Sequence, residues 1–312
     1  MGLVVKELHK RYGQKVVVDS LSFSIEQPGV YALLGTNGAG KTTAIRMMLG
    51  MLAKDGGQVF WNDKPLSIDQ CNIGYLAEER GLYPKTELMD QLIYFASLRN
   101  VSKADAKQRI KYWAERLEAV EYLYPQQEGK RTVKPKKADQ LSKGNQQKIQ
   151  FMTALLSDPE LIILDEPLSG LDPVNTDLFK SIIHEEINKG KYLIMSSHQM
   201  STIEEFCTDL TILNRSKTVL QGNLADIKKS YGRINLFIKT EQEIAPLITQ
   251  AGVTILSQVG YSYQCKVNGE DHANTLLKLL VDRGILLVAF ELREPSLHEI
   301  FVEKVGEPHG EA

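Results

Sequence analysis

Gly35-Thr36-Asn37-Gly38-Ala39-Gly40-Lys41-Thr42-Thr43 decides the fold, together with its flanks: Val30-Tyr31-Ala32-Leu33-Leu34 precedes it and Ala44-Ile45-Arg46-Met47-Met48-Leu49 follows. The pattern predicts strand, glycine-rich loop and helix, the order of a phosphate-binding loop. Such a loop turns its backbone N–H groups around phosphate oxygens, and the first helical turn adds unpaired donors and the positive end of a dipole. Gly35, Gly38 and Gly40 permit the turn, and Thr36, Asn37 and Ala39 lie between them. Lys41 reaches β- and γ-phosphates as a point charge, Thr42 offers a hydroxyl to a Mg²⁺ ion bridging them, and Thr43 adds a phosphate hydrogen bond.

Downstream, Leu161-Ile162-Ile163-Leu164 reads as a buried strand ending in Asp165-Glu166-Pro167. Parallel α/β sheets gather ligands at the carboxyl ends of their strands. There Asp165 would hold Mg²⁺ through water, and Glu166 would orient or deprotonate the water that attacks the γ-phosphate. Ser169-Gly170-Leu171-Asp172-Pro173 follows, and a second apolar strand, Tyr192 to Ser197, ends at His198. A solvated strand end and a structural histidine are the plain alternatives; the phosphate loop upstream decides against the first, and the place of His198 in the sequence order against the second.

The 312 residues predict two domains. With 43% apolar and 24% charged residues the chain is of ordinary globular composition. A net charge of −2 gives no general pull toward nucleic acid or anionic lipid, though a local patch could still exist, and no nucleic-acid partner is expected. Cys71, Cys207 and Cys265 are scattered and lack metal-ligand spacing, as expected in a reducing compartment. The N-terminus lacks the apolar core of a signal peptide, and no apolar run approaches the ~18 residues of a membrane span. The chain is expected neither to be exported nor to span a membrane by itself.

Between the phosphate loop and the acidic strand lies Leu141-Ser142-Lys143-Gly144-Asn145-Gln146-Gln147-Lys148. It resembles the signature motif of ABC ATPases, whose usual form is Leu-Ser-Gly-Gly-Gln; Lys143 and Asn145 depart from it, whereas Ser142 and Gly144 are kept. The resemblance covers roughly residues 1 to 225. It implies an α/β fold: a P-loop ABC ATPase with an antiparallel β subdomain and a helical subdomain at about 86–157. ATP with Mg²⁺ is the implied ligand, with Lys41, Glu166 and His198 as catalytic residues. The resemblance implies a head-to-tail dimer, formed with a second copy or a related chain, in which Ser142 and Gly144 close over the partner's ATP. It places Asp172 among the nucleotide-binding residues and makes Tyr12 the aromatic residue that stacks on adenine. A surface tyrosine in a hairpin is the other reading of Tyr12. Where the family usually has a glutamine contacting Mg²⁺, this chain has Glu78, a hard oxygen ligand that adds a negative charge beside Asp165 and Glu166.

Glu78-Glu79-Arg80-Gly81-Leu82-Tyr83-Pro84 looks like the exporter branch that includes sodium-extrusion and drug- or peptide-resistance ATPases. Apolar residues recur at helical spacing through Leu88, Leu92, Phe95 and Leu98, then Ile110, Trp113, Leu117 and Val120. These amphipathic helices either pack a core or, on the family reading, present a groove to a membrane subunit. The basic run from Lys130 to Lys137 is expected in a solvated loop, with lipid proximity as the other reading. After residue 227 the pattern predicts β-α-β-β-α-β, a small ferredoxin-like domain over 228–306 with a tail at 307–312. Its histidines, His272, His298 and His309, have no ligand spacing, and a regulatory or dimer-stabilising role is expected of it.

The leading reading is the ATP-hydrolysing subunit of an exporter, working on the cytoplasmic side of the cell membrane through a membrane-spanning permease on a separate chain. An ABC protein acting on ribosomes or DNA usually has two cassettes or a long inserted coiled coil, and this chain shows neither. A nucleotide-gated clamp that needs no turnover is the third reading; Glu166 and His198 argue against it, while Glu78 and Lys143 leave it room.

Overall fold

The computed structural model of the chain describes residues 2–67, 71–79, 81–128 and 131–306. Arg80, Lys130, His309 and the rest of the 307–312 tail, named above, lie outside the described residues. Two compact units emerge: Met1–Gln199 with Glu205–Gln221, and Met200–Glu204 with Gly222–Ala312.

In the first unit β1 (Leu3–Tyr12) and β2 (Lys15–Ile25) form an antiparallel hairpin, closed by the Tyr12↔Lys15 pair around Gly13 at φ 57°. Next come β3 (Gly29–Gly35), α1 (Lys41–Met48), β4 (Gly56–Trp61), β5 (Lys64–Pro65) and β6 (Ile73–Leu76). Four helices and a small hairpin follow: α2 (Leu88–Ser97), α3 (Lys103–Arg116), α4 (Val120–Leu123), β7 (Gln126–Glu128), β8 (Arg131–Val133) and α5 (Lys143–Leu155). The unit continues with β9 (Leu161–Asp165), α6 (Pro173–Asn188) and β10 (Tyr192–Ser197); α7 (Met200–Ile203) belongs to the second unit, and β11 (Asp209–Asn214) and β12 (Lys217–Asn223) end the central sheet.

Two sheets result, ordered β2-β1-β4-β5 and β12-β11-β3-β10-β9-β6. In the second, β11, β3, β10, β9 and β6 run parallel. Strands β3 and β9 are buried at every residue, which is why they read as unbroken apolar runs rather than alternating ones. Leu3, Leu8 and Trp61 of the antiparallel sheet pack with Ile45 of α1 and with Leu33, Ile163 and Ile194 of the parallel one. The pairs Leu34↔Ser197, Asp165↔Ser196 and Leu76↔Leu164 bring the carboxyl ends of β3, β10, β9 and β6 to one edge.

The helical stripe buries Leu88, Leu92, Ile110, Trp113 and Leu117 but leaves Leu98 and Val120 exposed. The basic run is not all loop. Residues 131–133 pair with 126–128, where β-branched Thr132 and Val133 favour extended backbone.

In the second unit α8 (Leu224–Tyr231) is followed by β13 (Asn235–Thr240), α9 (Ala245–Gln250), β14 (Thr254–Val259), β15 (Ser262–Lys266), α10 (Glu270–Asp282), β16 (Leu287–Arg293) and α11 (Leu297–Val305). The antiparallel order β14-β15-β13-β16 is that of a ferredoxin-like sheet. Its core gathers Leu236, Ile238, Tyr263, Leu276 and Leu280. Among the described residues no cysteine forms a disulfide. Nor is any helix there long and apolar enough to cross a membrane.

Candidate active site

Helix α1 begins without a side-chain cap and without an acid in its first turn; Gly40 stands at its N-cap with φ 110°. Ser102, Ser142, Asp172, Asn223 and Ser296 cap α3, α5, α6, α8 and α11, whereas α2, α4, α9 and α10, like α1, have no side-chain cap. The first-turn donors of α1 therefore remain open to an anion, with the dipole favouring it. The loop is built for close approach. A Cβ on Gly35 would lie 2.4 Å from the Leu213 carbonyl oxygen, and one on Gly40 2.4 Å from that of Val17.

Lys41 is buried, and its Nζ donates to the carbonyl oxygens of Gly35 at 2.8 Å and Thr36 at 3.3 Å. It also lies 3.3 Å from Glu166 Oε1, which is buried and otherwise without a hydrogen bond. The cleft around it, of about 330 Å³, is lined by Asn37, Gly38, Thr42, Thr43, Glu78 and Glu166, with Lys15 and Val17 from the β1–β2 hairpin side.

Asp165 ends β9, almost wholly buried, and its Oδ1 accepts a hydrogen bond from Ser196 Oγ at 2.5 Å. The same Ser196 oxygen accepts from the Glu166 backbone N–H at 2.9 Å. One serine thus fixes both acids. Glu166 takes a left-handed conformation, φ 51°, uncommon for a residue with a side chain, and its Oε2 lies 2.9 Å from His198 Nδ1. With that nitrogen protonated, the imidazole donates to the carboxylate.

Burial pushes the Asp165 carboxyl above the usual carboxylate range; the Ser196 and Thr42 hydroxyls pull it back, and the charges of Glu78 and Glu166 push it up again. Its Oδ2 is buried and makes no hydrogen bond. Thr42 Oγ1 donates to Glu78 Oε2 at 3.3 Å. Thr42, Glu78 and Asp165 therefore offer hard oxygen donors, one of them unpartnered, beside the open N-terminus of α1, a set that suits a small divalent cation.

The structure brings together Lys41, Thr42, Glu78, Asp165, Glu166 and His198, and leaves four other predicted residues outside this cluster. Tyr12, at the tip of the β1–β2 hairpin, is 54% exposed, with Lys10 Nζ 5.4 Å from its ring centre. Ser142 caps α5 by accepting from the Asn145 N–H at 3.3 Å, and Asp172 caps α6 by accepting from that of Asn175 at 2.9 Å. Gly144 adjoins the second of these: a Cβ there would sit 3.6 Å from Leu171 and 3.8 Å from Asn175. Ser142, Gly144 and Asp172 thus stand at the starts of two helices, away from the cleft lining. In the second unit His272 bonds to the Asn268 N–H and the Ala251 carbonyl, a structural arrangement.

Three functional-site neighbours escaped the sequence reading: Ser196, Gln147 and Gln150. A small hydroxyl closing an apolar strand beside the acidic one was the available signal for Ser196. For the glutamines it was their spacing of three on a helix.

Residues 18–169 match the family model described as ABC transporter, and residues 222–305 match that of the ATP-binding protein DrrA1-3-like C-terminal domain. The chain is 41% identical to the ABC transporter ATP-binding protein YhaQ of Bacillus subtilis (strain 168), over 97% of this chain and 98% of the relative. It is 29% identical to the bacitracin transport ATP-binding protein BcrA of Bacillus licheniformis, over 98% of each. Among solved structures, the ATP-binding subunit of an ABC transporter superposes with a TM-score of 0.65 at 27% identity, covering 74% of this chain and 93% of that one.

Proposed function

Because the chain belongs to the ABC transporter ATP-binding proteins, which hydrolyse ATP, we propose that it powers export through a membrane-spanning permease on a separate polypeptide. The observation that carries this reading is the uncapped start of α1 facing the buried Lys41–Glu166 pair, with the exposed His198 on the other carboxylate oxygen. It is an anion site with a base beside it.

On this reading the loop amides and Lys41 hold the β- and γ-phosphates of ATP. Glu166, oriented by its backbone bond to Ser196, takes a proton from the attacking water or aligns it, and His198 steadies the carboxylate. Thr42, Glu78 and Asp165 would hold Mg²⁺, whose charge, when bound, offsets that of the phosphoryl oxygens. The unpartnered Asp165 Oδ2 supports that assignment. Tyr12, exposed on the hairpin flanking the cleft, offers its face to adenine.

Neither Ser142 nor Gly144 is among the described residues lining the cleft, so the signature turn that closes each site comes from a second ATPase subunit, head to tail. An apolar groove of about 370 Å³, with Met51, Leu82, Phe95 and Leu98 on its walls, suits an amphipathic helix of the permease. The exposed Leu98, wasteful in a core, has a use there. Docked so, the chain would work peripherally at the cytoplasmic face of the membrane. The likeness to the bacitracin transport protein favours a drug- or peptide-like cargo, chosen by the permease. The segment from about 228 serves as an accessory domain.

Purified Glu166→Gln protein with ATP and Mg²⁺ tests the scheme. A dimer by light scattering, seen with ATP and absent with Lys41→Ala in the same background, is expected. A Glu166→Gln chain that stays monomeric at saturating ATP would sink the composite-site reading.

A further inference from the structure

Strand β9 ends at Asp165 and β6 at Leu76, so the loops carrying Glu166 and Glu78 have left the hydrogen-bond ladder. Their carbonyls need other partners. Helix α5 supplies two. Gln147 Nε2 donates to the Pro167 carbonyl oxygen at 2.5 Å, and Gln150 Nε2 to that of Glu79 at 3.2 Å. Each accepting carbonyl belongs to the residue directly after a site carboxylate, Glu166 in one loop and Glu78 in the other. Residues three apart on a helix share a face, so one face of α5 grips both acidic loops.

The start of the same helix is held as firmly. Gln146 Nε2 donates back to the carbonyls of Ala138 at 2.9 Å and Leu141 at 3.1 Å, fixing the approach to the Ser142 cap. One rigid element therefore registers three things: the Ser142–Gly144 turn, the loop of Glu166 and the loop of Glu78. Gln150 also lines the apolar groove. An occupant of that groove would press on the residue that holds the Glu78 loop.

We propose that Gln147 and Gln150 are positioning residues for ATP hydrolysis, whose amide donors lock the two acidic loops to the helix that carries the signature turn. The proposal rests on the roles given above to Glu78, Glu166 and that turn. Neither glutamine is among the described residues lining the cleft, so their loss should spare ATP affinity and damage turnover.

Methionine keeps the length and bulk of glutamine and removes the donor. Steady-state hydrolysis by the full chain, with Lys41→Ala and Glu166→Gln as controls, separates the outcomes. Gln147→Met should lower kcat about tenfold with KM for ATP within about twofold of wild type. Gln150→Met should raise the Mg²⁺ concentration for half-maximal turnover about fivefold at saturating ATP. Gln147→Lys restores a donor and should recover kcat to within about threefold. The proposal fails if both methionine variants keep wild-type kcat and Mg²⁺ dependence while Glu166→Gln is dead. It fails equally if the variants unfold, or lose kcat only in step with a rise in KM for ATP, since the glutamines would then be structural. If Glu166→Gln itself turns over normally, the assignment of the base has failed instead.

Discussion

Replacing Glu166 by glutamine preserves shape and removes one negative charge, so its consequences can be worked through from the geometry. Glu166 is buried, its Oε1 3.3 Å from Lys41 Nζ and its Oε2 2.9 Å from His198 Nδ1. Stripping one partner from a buried ion pair commonly costs about 3–5 kcal/mol. Here the ammonium keeps two carbonyl acceptors, Gly35 at 2.8 Å and Thr36 at 3.3 Å. The nucleotide-free chain should therefore lose only about 1.5–3 kcal/mol, the scale of one charged hydrogen bond. Turnover should suffer far more. A positioned base contributes about 10²–10⁴-fold, or roughly 3–5 kcal/mol of barrier at 1.36 kcal/mol per decade. The assays are phosphate release at saturating MgATP and thermal unfolding without nucleotide. Hydrolysis within tenfold of wild type would refute the assignment of the base. Loss of ATP binding alongside hydrolysis would refute the separation of binding from chemistry.

Asp165→Asn should stabilise the nucleotide-free chain at neutral pH by about 1–2 kcal/mol, because burial opposes the charged form. The sign follows from the raised carboxyl. The folded state holds its proton more tightly than the unfolded one, so the wild-type penalty is absent below the unfolded pKa and grows as pH rises toward the folded one. Unfolding curves of the two chains should converge as pH falls into the ordinary carboxylate range; a constant difference would rule this cause out. Tyr12→Ala should raise KM for ATP about tenfold with kcat within about threefold, on a stacking energy of ~1–3 kcal/mol, and Tyr12→Phe should behave as wild type. An unchanged KM would leave Tyr12 a surface residue. Gly40→Ala forces a Cβ to 2.4 Å from the Val17 carbonyl oxygen at φ 110°, so ATP binding by calorimetry should be lost and Tm should fall. Retained binding would mean that the loop tolerates a different path.

Much of the site was legible because its parts are local. Gly35 to Thr43 sits between a strand and a helix that the apolar pattern reveals without any tertiary knowledge, and Asp165 closes a strand buried on both faces. The register between strands was not legible. Only the pairing of Ser196 with Asp165 shows that a serine on β10 holds both acids, and no periodicity on β10 announces it. The roles of Gln147 and Gln150 were not legible for the same reason. A side-chain amide can reach any carbonyl within range, and sequence does not say which is near. The 131–133 strand was hidden by its basic neighbours, whose charge reads as loop while residues 131–133 pair with 126–128. Leu98 fell on an apolar stripe yet lies exposed at the groove, since periodicity marks a face and not what covers it.

The charged groups of the cleft are tied to one another in a chain, and this constrains how nucleotide can enter it. Lys41 spends its donors on the carbonyls of Gly35 and Thr36 and lies against Glu166, while Glu166 uses its other oxygen for His198. Phosphate oxygens arriving at the uncapped start of α1 compete directly with those acceptors for the ammonium. Every step by which Lys41 turns toward phosphate withdraws it from Glu166 Oε1, which has no other hydrogen-bond partner. A lone buried carboxylate oxygen is costly, and a water molecule held between it and the incoming phosphate relieves that cost. On the proposed roles, the ion pair that satisfies the cleft without nucleotide keeps Glu166 occupied, and the exchange that would seat the phosphates would also expose it to water.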